Sequence, residues 1–203
     1  MSEQKGFLAM AKLGIVLALY AAAACVGLAF VYAGTFEKIE ENQRALMNEA
    51  LLALFPGAEF EPVSGVRILD ADSRVTIDGD ENDPFNTGVY AARRNGVIEG
   101  LAIKTSRGGF GGPITLLVGV SVNGKIMGIR ILDHSETPGL GKNAEKPRFY
   151  GQFDNKPVSD PFVVNNDVDA ITASTITSTA ISISVKAAGE AALAWIRANG
   201  GLQ

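Results

Sequence analysis

The sequence predicts an α+β fold in which one N-terminal membrane-spanning helix precedes a single domain, a twisted antiparallel sheet flanked by helices. Three observations carry that expectation. An uncharged apolar run, "LGIVLALYAAAACVGLAFVYA", occupies residues 13–33. Two pairs of β-rich segments each surround an Asn-Gly dipeptide, and the last 25 or so residues place apolar side chains at helical spacing. A chain of 203 residues, 47% hydrophobic, is long enough for one sizeable core and one appendage. Its net charge of -4 and pI near 5.1 lack the basic excess on which phosphate-backbone binding draws, which excludes nucleic acid as the expected partner. With one Cys and one His it has neither a disulfide framework nor the means for a His/Cys metal site of its own.

At ~1.5 Å per residue, the run over residues 13–33 spans the ~30 Å hydrocarbon core of a bilayer. Lys5 and Lys12 precede it, while Glu37, Lys38, Glu40 and Glu41 follow. The positive-inside bias therefore puts residues 1–12 in the cytoplasm and the bulk of the chain outside. The run is longer than the apolar region of a cleaved signal peptide, and no A-x-A site closes it. Cys25, despite the preceding "AAA", reads as a small apolar residue of the membrane helix. "KGF" at Lys5 to Phe7 resembles the processing site of type IV pilins, with Ala11 where pilins carry glutamate, and a pilin-like structural protein without cofactor stands as an alternative.

Residues 34–60 read as a helical stalk that joins the core, capped at Thr35, bearing Ile39, Leu46, Ala50 and Ala53 at helical spacing, and stopped by Pro56-Gly57. The remainder, 61–203, forms the extracytoplasmic domain. Glu61 to Pro84 is rich in Asp, Gly and Ser and offers only "VRIL" and "RVTI" as short strands. Two hairpins follow: "GVYAARR" to "VIEGLAIKT" through Asn95-Gly96, and "ITLLVGVSV" to "KIMGIRILD" through Asn123-Gly124, both expected as type I′ turns. Between them "RGGFGGP", Arg107 to Pro113, lacks the lysine and hydroxyl of a phosphate-cradling loop and reads as a mobile hairpin connection.

Two stretches remain to be explained. "HSETPGLG", His134 to Gly141, contains a Pro138-Gly139 turn and a bare backbone at Gly141 that can press flat against a planar ligand. "DAITASTITSTAIS", Asp169 to Ser182, crowds hydroxyls at the start of a helix whose apolar face holds Ile181, Val185, Ala188, Ala192, Trp195 and Ile196, and which Asn199-Gly200 ends. Thr177 or Ser178 can cap that helix, and its first-turn amides are the most anion-friendly spot in the chain. A capped helix after a Thr-rich strand would need no ligand, but one cap does not need so many hydroxyls.

"DAITASTITS" resembles the flavinylation motif of the FMN-binding domain family. "HSETPGLG" is similar to that family's second signature, and "FYGQF", Phe149 to Phe153, to a segment between them. The resemblance implies a covalent FMN, its phosphate esterified to Thr175 by a flavin transferase that uses FAD as donor on the extracytoplasmic side. Asp169 would mark the motif for the transferase. Thr172, Ala173 and Ser174 would form the small-residue turn that admits it, with Ala173-Ser174 standing where Gly-Ala is usual. Thr177 and the loop residues Glu136, Thr137, Gly139, Leu140 and Gly141 would complete the cofactor contacts, Leu140 as the apolar one. His134 could hydrogen-bond the flavin or stabilise the loop, the second role being preferred.

Two branches of the family combine such a domain with an N-terminal span: the G subunits of Rnf electron-transport complexes and the C subunits of sodium-pumping NADH:quinone oxidoreductases. The short chain favours the first. That resemblance implies an electron relay with no acid–base catalyst, in a prokaryotic inner (plasma) membrane, with the other Rnf subunits as partners. The absence of GxGxxG after a strand agrees with a protein that does not itself bind NAD.

Overall fold

In a computed structural model, residues 2–68, 74–79 and 87–199 are described, the side chains of 2–9 and 11 excepted. Two compact units result, Met1–Leu46 and Met47–Gln203.

The first unit is helical. Helix α1 covers Ser2–Leu54, its last turns belonging to the second unit. Among the described residues it is the one helix long and apolar enough to cross a membrane, with an 18-residue window of mean hydropathy 2.4 that is nowhere buried. No break occurs at Thr35. Its hydroxyl donates back to the Val31 carbonyl at 2.9 Å, so the expected cap is instead an internal side-chain bond that leaves the helix running. Pro56-Gly57 does end it, with Gly57 at φ +75°.

The second unit is one antiparallel sheet covered on both faces. Its strands are β1 Glu59–Pro62, β2 Thr76–Ile77, β3 Val89–Arg94, β4 Val97–Gly108, β5 Pro113–Ser121 and β6 Ile126–His134, in the order β1-β3-β4-β5-β6 with β2 paired to β4. The turn at Asn95-Gly96 is type I′ in character, since both residues have positive φ (52° and 81°) and Arg94 pairs directly with Val97. The second hairpin departs from expectation. Only Gly124 (φ +74°) is left-handed, and the Ser121 N–H closes onto the Lys125 carbonyl at 2.8 Å, which makes a longer, bulged connection. Strand β1 was hidden where the sequence suggested the end of the stalk and the start of an irregular stretch. Of "VRIL", Val66 to Ile68 form no strand, and Leu69 and Pro84 lie outside the described residues.

Alternation divides the sheet's side chains. Leu101, Ile103, Leu116, Val118 and Val120 meet helix α3, Thr175–Ala198, through Ile181, Val185, Ala188, Ala192 and Ile196. Phe149 and Phe153, from helix α2 (Pro147–Tyr150) and the turn after it, fill the same layer, and Phe153 stacks on Phe162 at 6.2 Å. The opposite face holds Tyr90, Ala92, Ala102 and Leu117 beneath Ala50, Leu51, Leu54 and Phe55 from the end of α1. Phe55 fits because Gly100 and Gly119 present no side chain: a Cβ on Gly119 would lie 3.2 Å from its ring, and one on Gly100 2.8 Å. Both faces are therefore dry, which is why β5 reads as an almost unbroken apolar run.

Candidate functional site

The segment before α3 turns back on itself. The Ser174 N–H donates to the Ile171 carbonyl at 2.9 Å, closing a tight turn in which Ala173 adopts φ +59°. Thr172 and Ala173 are the central residues of this turn, and Ser174 closes it. The helix starts earlier than expected, with Ser174 as N-cap and Thr175 as first helical residue. Neither Thr177 nor Ser178 caps it. Ser178 Oγ donates to the Ser174 carbonyl and accepts the Ile171 N–H, both at 2.9 Å, tying the turn to the helix from inside. No side chain caps the start of α3 and no acidic residue stands in its first turn, while Thr175 and Ile176 are exposed.

Thr177 is fully buried and its hydroxyl donates to Glu136 Oε2 at 2.7 Å. That contact brings the two stretches singled out in the sequence together. Glu136 is itself buried, 6% exposed, and its other oxygen accepts the N–H groups of Phe110 (2.8 Å) and Gly111 (3.0 Å). The carboxylate therefore joins three segments: the tip of the β4–β5 hairpin, the loop after β6, and the first turn of α3. It is packed in so closely that a Cβ on Gly109 or Gly141 would collide with its oxygens. Glycine at 141 is a demand of this carboxylate as much as of any ligand.

The loop after β6 follows its expected geometry. The Leu140 N–H donates to the Thr137 carbonyl at 3.1 Å across Pro138-Gly139, with Gly139 at φ +79°. His134 holds the loop's entry. Its Nδ1 accepts the Glu136 N–H at 3.1 Å, which makes Nε2 the protonated nitrogen of the neutral ring, and Nε2 lies 3.0 Å from Glu145 Oε1. With its side chain 7% exposed, His134 braces the loop, as the sequence suggested, and does not line the cleft.

These segments enclose a cleft of about 400 Å³ lined by Phe110, Glu136, Thr137, Leu140, Gly141, Ala173, Ser174, Thr175 and Ile176, within the size range of small-molecule sites. Phe110 and Ile176 are the lining residues that sequence reasoning missed, Phe110 because its loop carries no phosphate-binding pattern. The signal available was an aromatic residue alone among four glycines. Asp169, Thr172, Gly139 and Thr177 are not in the lining. Asp169 lies at the entrance to the turn, exposed, with its backbone held both ways by Gln152: its N–H donates to Gln152 Oε1 at 2.7 Å and its carbonyl accepts from Nε2 at 3.3 Å. "FYGQF" thus contributes two core rings and one clamp.

The preceding loop is organised by Asp167, which accepts the N–H groups of Phe162 (3.1 Å) and Val163 (2.6 Å) and pairs with Lys156 at 3.2 Å. Burial pushes its pKa up, but the Val163 N–H, the Lys156 ammonium and the Phe162 N–H outweigh burial and hold the carboxyl below its ordinary 3.8.

Comparison with known proteins gives this geometry a family. Residues 109–190 match the FMN-binding domain, and residues 1–54 match the RnfG N-terminal region. The chain is 33% identical over 174 residues to the G subunit of the ion-translocating oxidoreductase complex of Methanosarcina acetivorans, covering 84% of this chain and 87% of that one. It is 33% identical over 186 residues to the G subunit of the Na(+)-translocating ferredoxin:NAD(+) oxidoreductase complex of Acetobacterium woodii, covering 86% and 87%. A solved structure, the C subunit of a Na(+)-translocating NADH-quinone reductase from Parabacteroides distasonis, aligns with a TM-score of 0.44 at 23% identity over 54% of this chain and 68% of that one, too partial an overlap to carry an argument. The chain belongs to the family of G subunits of ion-translocating ferredoxin:NAD oxidoreductase (Rnf) complexes, electron-transport flavoproteins built on an FMN-binding domain.

Proposed function

We propose that this chain is a membrane-anchored electron-relay protein that carries one FMN esterified through its phosphate to Thr175, on the extracytoplasmic side of a prokaryotic inner (plasma) membrane. The observation that carries this reading is the position of Thr175: an exposed first residue of a helix without a side-chain cap, lining a cleft that Phe110, Leu140 and Ile176 also line.

The lining fits the group. A phosphate bonded to Thr175 Oγ1 would meet the free N–H groups and positive end of α3. Glu136, the one carboxylate among the described lining residues, has both oxygens engaged in hydrogen bonds, so it offers the ester no exposed negative edge. Leu140, Phe110 and Ile176 supply apolar surface for a planar ring, and Gly141 brings backbone close. When bound, FMN supplies reversible uptake and release of electrons; the protein positions it and tunes it. Thr137, Gly139, Leu140 and Gly141 shape the loop against the ring, and Thr177 keeps that loop on the helix through Glu136.

Transfer from FAD would form the Thr175 Oγ1–phosphorus bond, break the bond to the departing AMP, and release the hydroxyl proton. The turn of Thr172, Ala173 and Ser174 leaves room for that attack, and the exposed Asp169, steadied by Gln152, is the mark a flavin transferase would read. α1 would cross the lipid bilayer with residues 1–12 cytoplasmic, and the remaining Rnf subunits would be the electron-transfer partners. Matches that span most of the chain to G subunits leave no observation favouring a C-type subunit, and the segment holding Lys5–Phe7 matches the RnfG N-terminal region, which removes the ground for a pilin.

The test is the mass of the peptide containing Thr175 in protein taken from native membranes. It should be heavier by FMN less water, the band should fluoresce on a denaturing gel, and Thr175→Ala should abolish both. An unmodified peptide in a flavin-replete native host would sink the proposal.

A further inference from the structure

We infer that Phe110 is the aromatic cover of the flavin ring, shielding one of its faces at the open side of the cleft. The inference rests on reading the cleft as a flavin site, and goes beyond it by assigning the ring a contact from a segment outside both signature stretches.

Phe110 occupies the tip of the β4–β5 hairpin. Gly108 pairs with Pro113, and the Gly109 N–H donates to the Gly112 carbonyl at 2.7 Å, leaving Phe110-Gly111 as the outermost pair. Such tips are ordinarily loose, but this one is fixed. Its two amides are held by Glu136, and Gly109 and Gly111 are pressed so closely against Glu136 and the Ser135 carbonyl that neither could carry a Cβ. The fold thus spends a buried carboxylate and two side-chain-free positions on aiming one residue. Yet the ring so aimed is 71% exposed.

Leu140 (40% exposed) and Ile176 (57% exposed) line the same cleft. Three large apolar side chains, from a hairpin tip, a loop and a helix start, therefore converge beside Thr175 with much of their surface still in water. A planar apolar ring tethered at Thr175 would cover them, and an aromatic side chain favours offset or edge contact with such a ring over contact with a flexible ligand. The tether makes the occupant the flavin rather than a partner's side chain.

The test uses membrane-purified full-length protein carrying Phe110→Trp, Phe110→Leu or, as control, Val97→Trp. Val97 is exposed at the opposite end of β4, ~36 Å away at ~3.3 Å per residue. An indole in contact with a photoexcited flavin donates an electron to it and takes the electron back, so fluorescence is quenched without net chemistry. Among the described residues no Tyr or Trp lines the cleft to obscure this. Flavin fluorescence per mole of modified Thr175 peptide should fall several-fold in Phe110→Trp and stay at the native level in Val97→Trp. Phe110→Leu should raise the rate of collisional quenching by iodide several-fold.

A fully loaded Thr175 peptide with native fluorescence in Phe110→Trp and native iodide access in Phe110→Leu overturns the assignment and leaves the flavin reading intact. A peptide without FMN in the native protein overturns both. Should Phe110→Trp fail to load while the native protein loads, the iodide measurement on Phe110→Leu decides alone.

Discussion

At Glu136 a single carboxylate satisfies two hairpin amides and one helix hydroxyl, and its loss would strand all three donors. Glu136→Ala should therefore lower unfolding free energy by about 3 kcal/mol in urea titration, since an unpaired buried donor costs about 1–3 kcal/mol and the opened site admits some water. Ala173 makes the opposite case. An L-residue at φ +59° bears a penalty of roughly 1–2 kcal/mol that glycine escapes, offset by the ~0.5–1 kcal/mol that glycine's freer unfolded chain costs. Ala173→Gly should thus stabilise the domain by ~0–1.5 kcal/mol in the same titration. Asp167 sets an acid limit. Its pKa is lower folded than unfolded, so its contribution is fully present above about pH 4, the unfolded value, and is lost as pH falls through the lowered folded value. Asp167→Asn should flatten that part of a stability-against-pH curve. The Pro138-Gly139 turn was legible in the sequence because turn chemistry is local, and the two stretches singled out there, residues 134–141 and 169–182, supply most of the cleft lining. The Glu136–Thr177 bond was not, because it joins positions 41 apart through a buried pair that no local pattern announces.

Among the elements, the Asn95-Gly96 turn followed its dipeptide, whereas Asn123-Gly124 did not, because the register of β5 against β6 shifts at Gly119/Val120 and lengthens the connection. β1 escaped notice because its four residues, Glu59–Pro62, alternate charge with bulk at an exposed sheet edge and so lack the apolar signature of a central strand. Helix α3 was legible from its apolar period, but its start was misplaced by reading hydroxyls as caps. Thr177 and Ser178 bond other partners, Glu136 and Ile171, and the helix begins at Thr175. The socket for Phe55 yields a further expectation. Gly119→Val should displace its ring from the sheet and destabilise the domain by ~3 kcal/mol or more, approaching the ~3–5 kcal/mol of Phe55→Ala, with both melts read by circular dichroism.

For the molecule as a whole, the sequence separated an apolar N-terminal segment from a sheet domain, but the sheet domain reaches further back than the composition suggested. A boundary near residue 60 would discard Ala50, Leu51, Leu54 and Phe55, which cover one face of the sheet. A chain beginning at Met47 should remain folded and detergent-free in solution, while one beginning at Gly57 should aggregate on its bared face, as light scattering would report. On the proposed function, the position of Thr175 has a different implication for how such a protein is made. Because Thr175 is exposed on the first turn of a helix, next to a turn already hydrogen-bonded shut, nothing would have to unwind before a flavin is installed. Loading would then come last, after the domain has folded, and colourless protein from a host without the proposed transferase should turn yellow in the test tube once transferase and donor are added.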